Sequence, residues 1–254
     1  MIESALAKSS RPVLSIAPET TVKEAAEFMA SAGVRRLVVK EGARAIGVFS
    51  AYHLVKLLVT GSDPSSIRVS DAGLEVPVYV QPTASLLEAA KVMSSSNVTS
   101  ALVGSEDNVI GVLTTHDIVA ALARSSLGRK PLHEALAKSY PALDRGASLL
   151  EAAAAMTSRG VSGVLVVEGD QLLGVLTVRE VIASYASRGG EGLGVKIAEV
   201  PFPAGAYVDE GATISEAAAV MEMEAVDVAP VLCGTRVCGA VDDITLTRWL
   251  ASSS

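Results

Sequence analysis

Phe, Trp and Tyr together make up only 4% of the 254 residues, and charged residues only 19%. Cysteine occurs twice and histidine three times. Two cysteines are too few for a disulfide scaffold. The histidines, at 53, 116 and 133, are scattered and suggest neither a metal cluster nor a Ser–His–acid set. No apolar run approaches the roughly 18 residues of a membrane span. Basic residues are also in deficit: 21 Lys and Arg against 28 Asp and Glu give a net charge of −7. That balance excludes a broad nucleic-acid-binding surface, which needs clustered cations. The opening MIESALAKSS lacks the apolar stretch of a signal peptide. With few cysteines, the expectation is a reducing cytoplasm.

What is present is aliphatic. Half the residues are hydrophobic, which excludes disorder. These residues fall into a repeat. Segments beginning at Thr21, Ser85, Ser148 and Thr213 align without gaps over their central stretch. A methionine recurs eight positions on (Met29, Met93, Met156, Met221), and a glycine 26 positions on (Gly47, Gly111, Gly174, Gly239). The pentapeptide ALAKS at Ala5–Ser9 and again at Ala135–Ser139 hints that a two-repeat half was duplicated.

Each repeat predicts the same elements. A short strand comes first: Val13–Ile16, Val78–Val80, Pro141–Leu143 and Ala206–Val208. A helix follows, opened by Ser/Thr with Glu three residues later, as in Thr21/Glu24 and Ser85/Glu88. That is a capping box. Two apolar strands around a polar turn come next, then a closing helix. Gly-, Ser- and Pro-rich stretches at 60–66, 124–131 and 188–194 read as linkers. The expected boundaries are 1–62, 63–125, 126–188 and 189–254. A single β-α-β-β-α unit of about 50 ordered residues buries too little surface alone, so repeats should pair sheet to sheet.

The line G-h-h-[ST]-x-x-[DE] at the last strand and helix resembles the CBS domain, here in four copies. Gly111-Val-Leu-Thr114-Thr-His-Asp117 and Gly174-Val-Leu-Thr177-Val-Arg-Glu180 match it best. The first repeat has His53 where an acid is usual, and the fourth exchanges hydroxyl and acid at Asp242 and Thr245. The resemblance implies an α/β fold of two Bateman modules, stacked as a disk in many relatives, as in the gamma subunit of AMP-activated kinase. It implies binding of an adenosine compound (AMP, ADP or ATP, with S-adenosylmethionine or NAD as alternatives). The adenine nucleotide would be a regulatory ligand and not a catalytic cofactor. It also implies a non-catalytic regulator whose output lies in a protein partner, with pairing between chains as one arrangement.

Two readings fit Thr114 and Asp117. A carboxylate can hold both ribose hydroxyls while the hydroxyl and the helix N-terminus meet phosphate, with His116 between them. The same residues can equally form a capping box with no ligand. Thr177 and Glu180, with Arg179 between, fit the cap better because Glu is the usual partner. Ser50/His53 is a weaker anchor because neutral His accepts only one hydrogen bond. Arg35 and Arg36 precede the second strand of repeat 1. By resemblance either would face phosphate bound near Asp117, or else cap a solvated strand end. Asp227 stands at the matching place in repeat 4 and would repel phosphate, so the first module is the expected binder. Resemblance also places Val80, Val98, Ser100, Ala101 and Val112 around adenine, although such residues are equally core.

Other motifs carry less. Gly189–Gly194 does not follow a strand and reads as a linker, not a dinucleotide loop. Cys233 and Cys238 flank a turn, and free thiols are expected, with pairing across the hairpin left open. Trp249 is expected to anchor packing. A ligand-free structural or dimerisation module remains the second reading of the chain, and an enzyme the third, since the repeats leave no further domain.

Overall fold

The computed structural model describes residues 4–253. Residues 1–3 and 254, at the ends of the first and last expected repeats and within the expected leaderless N-terminus, lie outside it. The chain forms two compact units, one running to Ile118 and including Leu250 onward, the other Val119–Trp249.

In the first unit a short helix α1 (Ala5–Lys8) leads into repeat 1: β1 (Ser15–Ile16), α2 (Val22–Ala32), β2 (Arg36–Glu41), β3 (Arg44–Ser50) and α3 (Ala51–Val59). Repeat 2 is β4 (Tyr79–Val80), α4 (Leu86–Ser95), β5 (Ser100–Ser105), β6 (Asn108–Thr114) and α5 (Thr115–Leu122). The second unit takes in the last turn of α5 and then repeats the order as far as Trp249 in the closing helix of repeat 4. Repeat 3 is β7 (Ala142–Asp144), α6 (Leu149–Arg159), β8 (Gly163–Glu168), β9 (Gln171–Thr177) and α7 (Val178–Arg188). Repeat 4 is β10 (Val208–Asp209), α8 (Ile214–Met223), β11 (Val228–Cys233), β12 (Arg236–Asp242) and α9 (Asp243–Ser252).

Each repeat makes a three-stranded sheet, its first strand parallel to the second and the second antiparallel to the third. The helices α2, α4, α6 and α8 all begin in the expected capping boxes. In each, the Ser/Thr backbone N–H donates to the Glu carboxylate at 2.7–2.8 Å. The recurring methionines are buried to 3% exposure or less. Fully burying such a side chain is worth about 1.5–3 kcal/mol.

The recurring glycine pairs directly with a valine: Val39↔Gly47, Val103↔Gly111, Val166↔Gly174 and Val231↔Gly239. Each ladder shifts register immediately afterwards, as at Val39/Lys40. A bulge of this kind sharpens the twist of the hairpin. The glycine also clears a path for the chain. The segment preceding one repeat crosses the third strand of its partner repeat, pairing Ser10 with Val112, Glu75 with Val48 and Ala137 with Ala240.

Within the first unit the two sheets pack on each other through Val38, Ala45 and Val48 against Leu102 and Val109. Ala45 N–H donates to the Glu106 carbonyl at 3.1 Å, and Tyr79 Oη to the Ala45 carbonyl at 3.2 Å. In the second unit β9 lies against β11 and β12. Trp249 is 8% exposed, and its indole N–H donates to Glu134.

Two local expectations are corrected. Gly189–Gly194 is a 3-10 segment packed against α7, not a loose linker: Gly192 is buried and its carbonyl accepts from Ser184 Oγ at 2.9 Å. A Cβ on Gly192 would meet the Ser184 carbonyl at 2.4 Å, so the glycine permits a close approach. Cys233 and Cys238 form a disulfide, not free thiols. The register shift at Val231/Leu232 sets their Cα atoms 5.7 Å apart, within bonding reach.

Candidate functional site

The closing helices, with the residue that precedes each, carry most of the polar residues singled out in the sequence. At α5, Thr114 N–H and Thr114 Oγ–H both donate to Asp117 Oδ2 at 2.7 Å, and Asp117 N–H returns to Thr114 Oγ at 3.3 Å. The capping box is therefore complete, yet it uses only one carboxylate oxygen. Burial pushes Asp117 above the usual carboxylate range, opposed by the Thr114 hydrogen bonds and by the charges of His116 and Arg36. Arg36, from the other repeat, thus stands within electrostatic reach of Asp117. Its Nε and the Nδ1 of His116 are buried without a hydrogen-bond partner. Unmet buried donors or acceptors cost about 1–3 kcal/mol each. Arg35 is half-buried, and its carbonyl accepts from Ala51 N–H at the start of α3.

The structure therefore brings together Thr114, His116, Asp117 and Arg36 from the sequence candidates. Val112 borders this group and pairs with Ser10. The other proposed adenine residues are spread more widely. Ala101 is completely enclosed in the sheet core. Val80 lines a depression of about 360 Å³ with Gln81, Glu88 and Val92, which includes neither Thr114 nor Asp117. Val98 is half-buried beyond the end of α4, and Ser100 Oγ donates to Glu75 at 3.3 Å.

At α3, His53 takes the carboxylate's role in the cap. Its Nδ1 accepts from Ser50 N–H at 2.9 Å and lies 2.9 Å from Ser50 Oγ. Burial, the largest influence, lowers the His53 pKa. The ring also stacks on Phe49. At α7, Thr177 N–H and Oγ–H donate to Glu180 at 2.7 Å, while Arg179 is exposed. At α9 the roles reverse: Thr245 N–H donates to Asp242 Oδ1 at 2.7 Å, and Asp242 N–H donates to Thr245 Oγ at 2.8 Å.

In the second unit Asp227 stands at the repeat position of Arg35. Asp227, Asp242 and Asp243 are all buried. Burial, then the nearby Asp242 and Asp243, pushes the Tyr140 phenol well above its usual pKa. Sequence reading picked out Asp227 but neither Tyr140 nor Glu75. The signal available for Glu75 was its place in the segment preceding a repeat, which is meaningful only once the crossing chain is seen.

Residues 5–60, 69–124 and 133–187 match the model of the CBS domain. The chain belongs to the CBS-domain family. The fourth CBS repeat lies outside the matched residues but has the same strand order as the other three. Protein MJ1225 of Methanocaldococcus jannaschii superposes with a TM-score of 0.85 at 18% identity, covering 98% of this chain and 100% of that one. An uncharacterized conserved protein of Pyrococcus horikoshii gives 0.69 at 18% identity with the same coverage. These likenesses establish the fold of paired CBS repeats. An uncharacterized 33.4 kDa protein encoded in a ribosomal RNA operon of Thermofilum pendens is 24% identical over 174 residues, which span 63% of this chain and 57% of that relative. Among the described residues no three His, Cys, Asp or Glu side chains are grouped to hold a metal ion. No helix there is long and apolar enough to cross a membrane.

Proposed function

We propose that this CBS-domain chain is a non-catalytic regulator that binds an adenine nucleotide in its first module. Asp117 would hold the ribose hydroxyls through the carboxylate oxygen its cap leaves open. Thr114 and the N-terminus of α5 would meet the phosphate. Arg36, and Arg35 beside it, would neutralise that phosphate from the other repeat. The observation that carries this reading is the buried, unpartnered Arg36 Nε within reach of Asp117. Internal structure explains the Thr114–Asp117 pair by itself, but it does not explain a buried guanidinium nitrogen left without an acceptor.

AMP, ADP or ATP fits this donor set best, because the site couples a cation to a ribose-sized anchor. The protein MJ1225, of the same fold, is described as a proposed archaeal homologue of the AMPK gamma subunit, a regulatory comparison that supports the class. A ligand spanning both repeats favours one arrangement of them over others, and a protein partner reads the result. The functional repeats are taken as 1–62, 63–125, 126–188 and 189–254, in a cytoplasmic protein.

Calorimetry with AMP, ADP, ATP, S-adenosylmethionine and NAD tests this on wild type and Asp117→Ala. Saturable nucleotide binding that weakens at least tenfold in Asp117→Ala is expected. If ligand-free protein binds none of them, the repeats act as a structural module and the capping box explains Asp117 completely.

A further inference from the structure

The two clefts of the first module are related by its internal pseudo-symmetry, yet they are furnished in opposite ways. In each, the chain preceding one repeat crosses the third strand of the other. Ser10 occupies the crossing position opposite Val112, beside Thr114 and Asp117. Glu75 occupies it opposite Val48, beside Ser50 and His53. Both backbone hydrogen bonds between Glu75 and Val48 are made, at 3.1 Å, so the residue is firmly placed.

The facing residues differ as well. The Arg36 charge reaches Asp117 and, from the strand position opposite Ser50, also His53, while the repeat counterparts of Arg35 and Arg36 are Thr99 and Ser100. The Glu75 carboxylate already binds both of these. It accepts from Thr99 Oγ at 2.8 Å, Thr99 N–H at 3.4 Å and Ser100 Oγ at 3.3 Å. Ser50 and His53 are tied to each other in the α3 cap. Ser50, His53, Thr99 and Ser100, the polar side chains of this cap and of the facing strand, are thus engaged within the protein. An anion, moreover, is bound to the two residues that stand at the repeat positions of Arg35 and Arg36.

We infer that Glu75 is a built-in anionic occupant of the Ser50/His53 cleft, excluding nucleotide from it and limiting the first module to one ligand. The physical basis is twofold. A phosphate entering there would lie against a carboxylate, and like charges close together repel strongly when partly removed from water. It would also have to displace three hydrogen bonds that the chain supplies at no loss of translational freedom. Glu75 is thereby a specificity-determining residue that makes a pseudo-symmetric module bind asymmetrically. This inference rests on the nucleotide reading of the Asp117 cleft.

The test uses the full chain, with AMP as the probe, in calorimetry and equilibrium dialysis. Glu75→Ser is expected to bind one more AMP per chain than wild type, and this added site should survive Asp117→Ala. Glu75→Gln preserves the shape and removes the charge, and should show the same added site should Glu75→Ser fold poorly. The reciprocal change, Ser10→Glu, places a carboxylate at the exposed crossing position of the other cleft and should weaken AMP binding there at least tenfold. Unchanged stoichiometry in the Glu75 variants, or full AMP affinity in Ser10→Glu, overturns the inference while leaving the Asp117 site standing. Absence of AMP binding from wild type and every variant removes the nucleotide reading itself, and this inference with it.

Discussion

Gly174 lies directly beneath Pro203: a Cβ on the glycine would stand 2.2 Å from the Pro203 carbonyl oxygen. That same oxygen accepts from Val175 N–H at 3.0 Å. The contact is one of four in which the chain entering one repeat is laid over the third strand of its partner. Gly47 lies under Leu74, Gly111 under Ser9 and Gly239 under Ala137. The glycine is thus a clearance at a crossing that ties two repeats into one module.

Substituting these glycines should be unequal in effect. At Gly174 the obstacle is backbone, so Gly174→Ala should destabilise by about 1–3 kcal/mol, the range of overpacked sites. At Gly111 the obstacles belong to Ser9: its hydroxyl at 2.2 Å can rotate away, but its Cβ at 2.8 Å must shift with the chain, so Gly111→Ala should also destabilise, by less than Gly174→Ala. Urea denaturation of the two variants checks the order. Equal losses would show that the backbone of 202–204 yields freely.

Helix ends offer a stabilising change. Gly33 and Gly160 follow α2 and α6 in the left-handed region, with φ of 66° and 67°. Ala225 holds the same place after α8 with φ of 53°. A side chain there costs roughly 1–2 kcal/mol, partly offset by the entropy that glycine adds to the unfolded chain. Ala225→Gly should therefore raise stability by about 0.5–1 kcal/mol, read as a higher melting temperature. Gly160→Ala should lower it.

The Cys233–Cys238 disulfide closes a short hairpin loop. Chain-entropy reasoning gives about 2 kcal/mol for so small a ring. Wild type should melt lower in dithiothreitol and gain two titratable thiols. In the double variant Cys233→Ser, Cys238→Ser, the reductant should leave the melting temperature unchanged.

Acidification should release ligand early. Burial holds the Asp117 pKa above the ordinary carboxylate range, so its protonated form is already populated at pH values where a solvated aspartate is fully charged. A ribose anchor must be ionised to accept from two hydroxyls. Nucleotide affinity should thus be constant at neutral pH and fall as pH drops through the raised pKa. The sign for stability is opposite. A buried carboxylate with a raised pKa penalises the fold at high pH and relieves it on protonation, so loss of binding here is not loss of fold. Calorimetry across pH 4–8 (bounded by about 3.9 for ordinary Asp and by neutrality), with Asp117→Asn as the control that keeps only the titration of the nucleotide phosphate, at about pH 6 for a monoester, and melting temperatures over the same range separate the two.

Much of the architecture was legible in the repeat. The capping boxes marked where α2, α4, α6 and α8 begin, because Ser/Thr and Glu three apart satisfy free N–H groups by local geometry alone. The methionine positions marked the buried face. The first strands were less legible: Val13 was expected in β1, but only Ser15 and Ile16 pair with β2. A two-residue parallel pairing depends on a partner far along the chain, which no local pattern encodes. The recurring glycine was visible as a period without a reason, since its reason is a crossing strand.

Sequence alone was enough for the four repeats, their helix starts and their buried stripes, and it offered Thr114 and Asp117 as candidates, with Arg36 added by resemblance. Helix starts and buried stripes depend on residues a few positions apart, where spacing dictates geometry. The tertiary structure decided the rest. It set the Arg36 charge within reach of Asp117, laid Glu75 across Thr99 and Ser100, and joined Cys233 to Cys238. In each case the partners meet only because one repeat's chain is carried onto its neighbour or because a bulge shifts the register. The electrostatics of those meetings arise from burial, which a linear pattern does not specify.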